Sequence, residues 1–570
     1  MLPREVPVVV VGAGPSGATA SLLLEQQGIE TLLVERRAAS QRAPAAHVVN
    51  ARTFEICRAA GVDMDALSRH AQAPEDAGFA CFVTKLGGRT IGRLPFEQQG
   101  DDQLAVTPHP LRNLSQNHFE PALLEALERR AGRAPHWGWQ WESARQDAGG
   151  VVSRFRHVER GEGAEVRSRW LVAADGAGSR VRKWLGIEPV GPDRIRSFVM
   201  VHFRAKLRGL PGVPPGVLFF TVHPEAHGGV YVVHDLDREG VYMHPFDPDA
   251  ESVEDYDATR CAAIVRSGLE DPGLDLAVET ISSWTMTAQV AERYRDGRVF
   301  LVGDAAHRFP PTGGLGLNSG VQDAHNLAWK IAAVERGWAP ASLLATYEQE
   351  RRPVAQTNAD QSLRNALRLI EVPRAAGVLD PTGEQDDGEL AAALEATLAD
   401  DGRRAALEAA VADQAEHFDM PGLQLGFAYA EGAVVRRAGE TPPGEGDVRH
   451  FTPTGCPGAR LPHAWLADGA SLLDRVPLDR FLVVAGPEGR PWVDAVAGLD
   501  GPPVEGLVLD AAALPEPDVW LAQAGIARDG ALLVRPDQHV AWRAPQAAVD
   551  PGAALADAFA ALLPGALVVA

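Results

Sequence analysis

The chain has 570 residues, 45% of them hydrophobic and 23% charged, which excludes a disordered or collagen-like polymer and leaves room for about three domains. Its 76 acidic residues against 54 basic ones give a net charge of -22, a surface that repels nucleic-acid phosphates and anionic lipid and excludes both as expected partners. Cys57, Cys81, Cys261 and Cys456 stand apart without a C-x-x-C pair, so neither a disulfide framework nor a metal site is expected.

The apolar runs at 6–11 and 558–570 are too short to span a bilayer, and no charged segment leads into an apolar one at Met1, which together predict a cytoplasmic protein without a membrane partner. Residues 6–11 are β-branched and apolar, as in a parallel strand covered on both faces. They break into Gly12-Ala13-Gly14-Pro15-Ser16-Gly17. In such a G-x-G-x-x-G turn the first glycine permits the bend, the second lets the backbone approach a pyrophosphate, and the third lets the next helix pack on the strand. That helix aims its N-terminal N–H groups at the pyrophosphate. A second strand at 31–34 ends in Glu35, spaced to accept ribose hydroxyls, with Arg36 beside it. The turn alone predicts a dinucleotide, NAD or FAD.

Further along, residues 170–174 form a strand ending in Asp175-Gly176, followed by a helix with Val181, Arg182 and Trp184. In the middle region, His223, His234 and His244 interleave with Phe219, Tyr231 and Tyr242 on expected strands; sheet packing and a pocket wall both fit that pattern. Residues 299–302 are another buried strand, ending in Gly303-Asp304 with His307 close behind. A turn rich in proline and glycine, Pro310 to Asn318, leads into a helix carrying Val321, Ala324, Ala328 and Ile331 at helical spacing. Carboxylates at strand ends suit sugar or ribityl hydroxyls, and the helix start near Leu317 and Asn318 offers N–H groups to an anion. The alanine-rich stretch 384–415 reads as helix, and 481–484, 506–509 and 531–536 read as strands.

These three glycine and acid motifs, in this order, resemble the FAD-dependent aromatic hydroxylases, single-component flavoprotein monooxygenases of the p-hydroxybenzoate hydroxylase fold. Within that family, Ala46-His47-Val48-Val49-Asn50-Ala51-Arg52-Thr53-Phe54-Glu55-Ile56 is similar to the histidine-containing N-x-R-T-x-E-I segment of the 2-hydroxybiphenyl 3-monooxygenase and 2,4-dichlorophenol 6-monooxygenase subfamily. Asn113-Leu114-Ser115-Gln116, Ser283-Trp284-Thr285 and the stretch from Pro457 to His463 match as well, so the resemblance runs along essentially the whole chain. Many relatives carry arginine three positions before the glutamine, where this chain has Asn113 with Arg112 beside it.

The resemblance implies an α/β protein with a Rossmann-like FAD-binding domain at 1–76, 112–189 and 285–395 and an inserted β-sheet substrate domain at 77–111 and 190–284. A helical connection at 396–415 leads to a thioredoxin-like C-terminal domain at 416–570, suited to packing or a homodimer contact. FAD is the implied cofactor, NADH or NADPH the co-substrate, and O2 and an aromatic small molecule the partners. The expected cofactor-binding residues are Gly12, Gly14, Gly17, Glu35, Arg36, Arg112, Gln116, Asp175, Asp304, Gly314, Leu317 and Asn318; Phe219, Tyr231, Trp284 and Pro311 are expected to line the substrate site. His47 falls where the family holds substrate against the flavin and is the expected base. A phenol is a poor carbon nucleophile until deprotonated, and an imidazole of unperturbed pKa about 6.5 is neutral and basic at cellular pH. The implied reaction is NAD(P)H-dependent hydroxylation of a phenolic ring, ortho to its hydroxyl, through a flavin C4a-hydroperoxide. A tailoring hydroxylation or Baeyer-Villiger oxygenation of an aromatic polyketide is the alternative.

Overall fold

Val8, Val9 and Val10 are fully buried in strand β1 (Glu5–Val11), which supplies the centre of the largest sheet. The computed structural model describes residues 2–41, 43–379, 385–444 and 446–565. After β1 comes helix α1 (Pro15–Gln26), then β2 (Thr31–Glu35), parallel to β1. On its other side β1 pairs in parallel with β3 (Gly163–Ala173), and β3 with β4 (Val299–Leu301). The register sets Val11 beside both Val34 and Ala173, and Ala173 beside Leu301. The turns carrying Gly12, Glu35, Asp175 and Asp304 therefore converge on one edge of the sheet, the carboxyl edge where open α/β sheets hold ligands. Helix α2 (Ala51–Ala59) and the long helices α3 (Leu315–Glu335) and α4 (Thr346–Arg368) complete this body. Most expected elements are present with ends moved by a residue or two, but the strand expected from 170 begins at Gly163, and the turn before α3 closes at Gly314, ahead of the expected start at Leu317.

A seven-stranded sheet, in the order 277–286, 196–204, 239–246, 230–235, 218–221, 79–83 and 90–95, stands over that edge. Helix Ala258–Ser267 covers one of its faces through Val265, packed with Cys81, Phe219 and Tyr231. The other face turns inward, where Phe198, Val232, Met243 and Trp284 meet Ala366 of α4. The helices Asp387–Ala399 and Asp401–Ala412 occupy the alanine-rich stretch, whose first residue, Glu384, lies outside the described residues. Leu394 and Leu407 from them share one apolar cluster with Phe82 and Ile91 of this sheet, so a boundary at 395 does not coincide with a change of packing partner.

The last sheet, in the order 504–508, 481–485, 531–534 and 540–544, pairs its first two strands in parallel and the rest antiparallel, as expected of a thioredoxin-like domain. All four cysteines are buried thiols. No described helix is long and apolar enough to cross a membrane; the apolar run at 558–570 lies partly outside the described residues.

Candidate active site

Gly12 holds φ +102°, and a side chain there would fall on the Ala174 carbonyl; one at Gly17 would fall on the Gly12 carbonyl. Both are glycine because the chain packs on itself. Gly14 is different: a Cβ would meet nothing within 4 Å, so its bareness serves no internal contact and leaves the space in front of α1 clear. The Glu35 carboxylate, 7% exposed, accepts from Ala13 N (3.0 Å) with one oxygen and from Arg37 N (2.9 Å) and Nε (3.1 Å) with the other. The oxygen that accepts from Ala13 keeps a lone pair for a hydroxyl, while the other is filled by Arg37. Arg36 is exposed; the neighbouring Arg37, which sequence reasoning passed over, makes the contact to Glu35 and reaches Glu120 at 3.6 Å.

The two strand-end acids differ. Asp175 accepts from Ser179 Oγ (2.5 Å), Arg180 N (2.8 Å) and Val181 N (3.2 Å), closing the start of helix Arg180–Trp184. Burial still raises its pKa. The Asp304 carboxylate accepts no hydrogen bond from any described residue. Solvent reaches it, yet so much protein surrounds it that desolvation raises its pKa against the pull of His307 and Arg308. An acid with no partner in its own chain, crowded by protein at the strand ends, has oxygens free to accept a ligand's hydroxyls. Behind it, buried Asp323 accepts from Gly303 N (3.2 Å), His307 Nε2 (2.8 Å) and Arg351 Nε (2.8 Å), fixing the turn that aims Asp304. Burial raises the Asp323 pKa, but the neighbouring His307 and Arg351 groups outweigh it and hold it below the usual carboxylate range.

Gly314 caps α3 at φ +61°, where a Cβ would collide with Val48. Leu315, Gly316 and Leu317 open the helix, so their N–H groups have no acceptor within it. Pro311 is exposed, its carbonyl taking the Gly314 N–H. The Asn318 side chain, about which the backbone expectation said nothing, is occupied within the protein. Its Nδ2 donates to Val48 O (2.9 Å) and Gly314 O (2.7 Å), and its Oδ1 accepts from Asn50 N (3.0 Å) and Thr53 Oγ1 (2.7 Å). Asn318 thus clamps the His47 segment to the start of α3, and only its backbone faces the task expected of it.

His47 is half-buried, its Nδ1 2.9 Å from Asn113 Oδ1. An amide oxygen accepts, so the proton sits on Nδ1 and Nε2 carries the lone pair. Burial lowers the His47 pKa, with the Asn113 contact opposing, which keeps the ring neutral at pH 7. Asn113 is thereby the partner of the expected base. Arg112 points elsewhere, donating to Gln99 O (2.7 Å) and Leu111 O (2.9 Å). Gln116 starts helix Gln116–Ala131, its N–H on Ala46 O (2.7 Å). Phe96 stacks on the His47 ring at 6.1 Å and in turn meets Phe418 at 6.2 Å. His234 sets its ring edge-on to His47 at 5.7 Å.

Phe219 and Tyr231 do not line this space. Both are fully buried under helix Ala258–Ser267, with the Tyr231 hydroxyl donating to Val265 O at 2.5 Å. Successive strand residues face opposite sides, so the inward face carries their neighbours instead, among them Leu218, Phe220, Val232 and His234. Trp284, stacked on Phe198 at 6.1 Å, is on the inward face. His223, expected on a strand, precedes a short 3-10 turn.

An FAD binding domain family matches residues 5–362, and an aromatic-ring hydroxylase C-terminal family matches 454–565. The chain is 34% identical over 598 residues to the tetracenomycin A2 monooxygenase-dioxygenase of Streptomyces glaucescens, covering 99% of this chain and 98% of that one. It is 32% identical to the 2,4-dichlorophenol 6-monooxygenase of Delftia acidovorans, covering 95% of each. Among solved structures, the flavin-dependent monooxygenase PieE in complex with FAD and substrate superimposes with a TM-score of 0.89 at 36% identity, over 98% of this chain and 99% of the other.

Proposed function

The chain belongs to the FAD-dependent aromatic-ring hydroxylases, and on that premise we propose that it hydroxylates a phenolic ring ortho to its hydroxyl, with His47 as the base that makes the phenolate. It is a flavoprotein monooxygenase with FAD as cofactor and NADH or NADPH as co-substrate. Bound flavin supplies the activated oxygen; the residues of this chain bind, orient and move a proton. Gly14 would leave room for a pyrophosphate, Glu35 and Asp304 would accept hydroxyls, and the free N–H groups of Leu315, Gly316 and Leu317 would stabilise negative charge on the cofactor. Phe96 and Trp284 confine the substrate ring on the inward side. O2 is the second co-substrate, and the cytoplasm, with its NAD(P)H, the place of work for a chain whose cysteines are buried thiols.

The single observation that carries the base assignment is the His47–Asn113 contact, which fixes the proton on Nδ1 and leaves Nε2 without a protein partner among the described residues. In His47→Ala, FAD binding should persist while hydroxylation falls by about 10²–10⁴-fold, the range for a positioned base. Reducing equivalents should then leave as hydrogen peroxide, and product should partly return as pH nears the phenol's own pKa of about 10. Full coupling of NAD(P)H to product in that variant at neutral pH would overturn the assignment. The likeness to a tetracenomycin-acting enzyme favours, as a second reading, a polycyclic phenol from polyketide metabolism. Oxygen-isotope labelling of the product distinguishes ring hydroxylation from ester formation.

A further inference from the structure

One loop holds the proposed base at both of its ends. Phe96, stacked on the His47 ring, opens it, and Asn113, 2.9 Å from His47 Nδ1, closes it. Phe96 and Leu111 share an apolar cluster with Val48, and Leu114 N donates to His47 O at 2.7 Å. The root of the loop is tied across, since Arg112 Nη1 donates to Gln99 O at 2.7 Å and Gln99 Nε2 to Phe96 O at 2.8 Å. Its middle is looser. The 3-10 turn Asp101–Ala105 buries none of its residues. Beside it lies a cleft of about 280 Å³, lined by Gln103, Thr107 and Leu111 of the loop and by Pro421, Gln424 and Leu425.

A segment with so few buried contacts opens locally unless something outside it ties it down. Two side chains of the C-terminal domain do so. Trp465 Nε1 donates to Leu104 O at 2.8 Å, and Arg460 Nη2 donates to Val106 O at 3.0 Å. Arg460 is fully buried and belongs to the ion pair with Glu55, which also accepts from Thr107 Oγ1. Trp465 is 40% exposed, too open to be explained by burial, and its ring N–H is spent on the loop. The indole is braced from behind: the buried His463 ring stands edge-on to it at 4.9 Å and is itself 2.9 Å from Ser471 Oγ through Nδ1.

We propose that Trp465 is a positioning residue: from the C-terminal domain it pins the 96–113 loop, so that Phe96 and Asn113 hold the His47 imidazole in one orientation and one tautomer. The inference rests on His47 being the base, which needs the lone pair on Nε2. Without the indole the exposed turn lifts, and the strain passes to both ends of the loop. Asn113 then no longer fixes the proton on Nδ1, and the ring spends time with its proton on the nitrogen that should receive one. The C-terminal domain thereby acts on the site without touching substrate or cofactor.

The test is nitrogen NMR of the full-length, FAD-loaded protein with isotope-labelled histidine, at about pH 8, where the ring is neutral. His47→Gln identifies the His47 signals by their loss. In the wild type Nδ1 should give a protonated signal and Nε2 a bare one, far apart. In Trp465→Ala the separation should shrink to about half or less as the two tautomers exchange, while FAD stays bound. Trp465→Phe keeps a ring in place and removes only the N–H; a shift in the same direction there guards against local repacking in the first variant. Arg58→Ala is the control: Arg58 binds Asp474 across the same seam at 2.6 Å without touching the loop, so its loss should leave His47 unchanged, whereas a general loosening of the seam would move both. Unchanged His47 signals in both Trp465 variants, or an equal change in Arg58→Ala, would overturn the proposal. A wild type with its proton on Nε2 would refute the base reading instead, and the comparison with Trp465→Ala would still judge the loop.

Discussion

Asp304, at the cleft, accepts no hydrogen bond from the described protein, whereas Glu55, at the seam with the C-terminal domain, accepts four: from Arg52 Nη1 (3.0 Å), Arg460 Nε (2.8 Å) and Nη2 (2.5 Å), and Thr107 Oγ1 (2.7 Å). Burial raises the pKa of the first, while Arg460 and Arg52 hold the second down at about 2 although burial opposes them. The same seam joins Arg535 to Glu350 (2.8 Å) and Asp537 (2.5 Å), and Lys330 to Glu350 (2.6 Å), all fully buried. A buried charge whose partners come from its own chain is architecture; an open acid at the strand ends with no partner among the described residues is free to meet a ligand. The difference predicts opposite behaviour when each is removed.

The largest effect belongs to the seam. Arg460→Ala leaves the Glu55 carboxylate buried with half its partners, and should destabilise the chain by about 3–5 kcal/mol. Denaturation of the FAD-loaded variant would measure it. Because the folded pKa of Glu55 lies below its unfolded value, its contribution is present above about pH 4.5 and is lost as pH falls towards 2. That acid sensitivity should shrink in the variant. A loss of FAD without a loss of stability would break the comparison.

Next comes the phosphate loop. Gly14→Val places its Cβ where no protein atom lies within 4 Å, so the fold should stand while FAD affinity falls, the cost of overpacking being about 1–3 kcal/mol. Flavin absorbance after gel filtration reads the loss; full retention would refute the phosphate assignment.

Asp304→Ala should weaken FAD retention by about 1–3 kcal/mol without lowering the stability of the flavin-free protein, since it removes an acid that accepts no hydrogen bond from the described residues. Asp175→Ala should do the reverse, weakening the protein by about 1 kcal/mol through its lost helix-start contacts and retaining FAD better. Equal FAD losses would mean that the two strand-end acids do the same work.

Local motifs were legible and distant partners were not. The turn at Gly12 to Gly17 and the acid at Asp304 follow from spacing within a few residues, because strand, turn and helix there are consecutive, whereas the proposed role of His47 rests on the family resemblance. The Arg52-Thr53-Glu55 run, read as a subfamily mark, proves to be a junction: Arg52 reaches Asp537 O, Thr53 reaches Asn318 and Glu55 reaches Arg460. No local pattern joins residues 405 positions apart. Strand alternation told which middle-region residues share a face but not which face turns inward; helix Ala258–Ser267 decides that, and it placed Phe219 and Tyr231 away from the site and His234 beside it.

Glu97 lies between the two regions in kind as well as place, and gives the smallest effect. It follows Phe96, which stacks on His47, and holds φ +55°, rare for a residue with a side chain. Its carboxyl is buried, with only two long contacts, from Met420 N (3.3 Å) and Gln424 Nε2 (3.2 Å). Burial outweighs them and pushes its pKa up to about 8 from 4.5. Below pH 4.5 the group is protonated in both the folded and unfolded chain and has no pH-linked effect. Between 4.5 and 8 the unfolded chain has lost the proton that the folded chain keeps, so stability declines as pH rises, and the decline ends above 8. Glu97→Gln keeps the shape and removes the titration. Its melting temperature should match the wild type near pH 4 and exceed it by a few degrees at pH 9, a modest shift in a chain of this size. A difference independent of pH would show that Glu97 is as fully compensated as Glu55 and belongs with the seam.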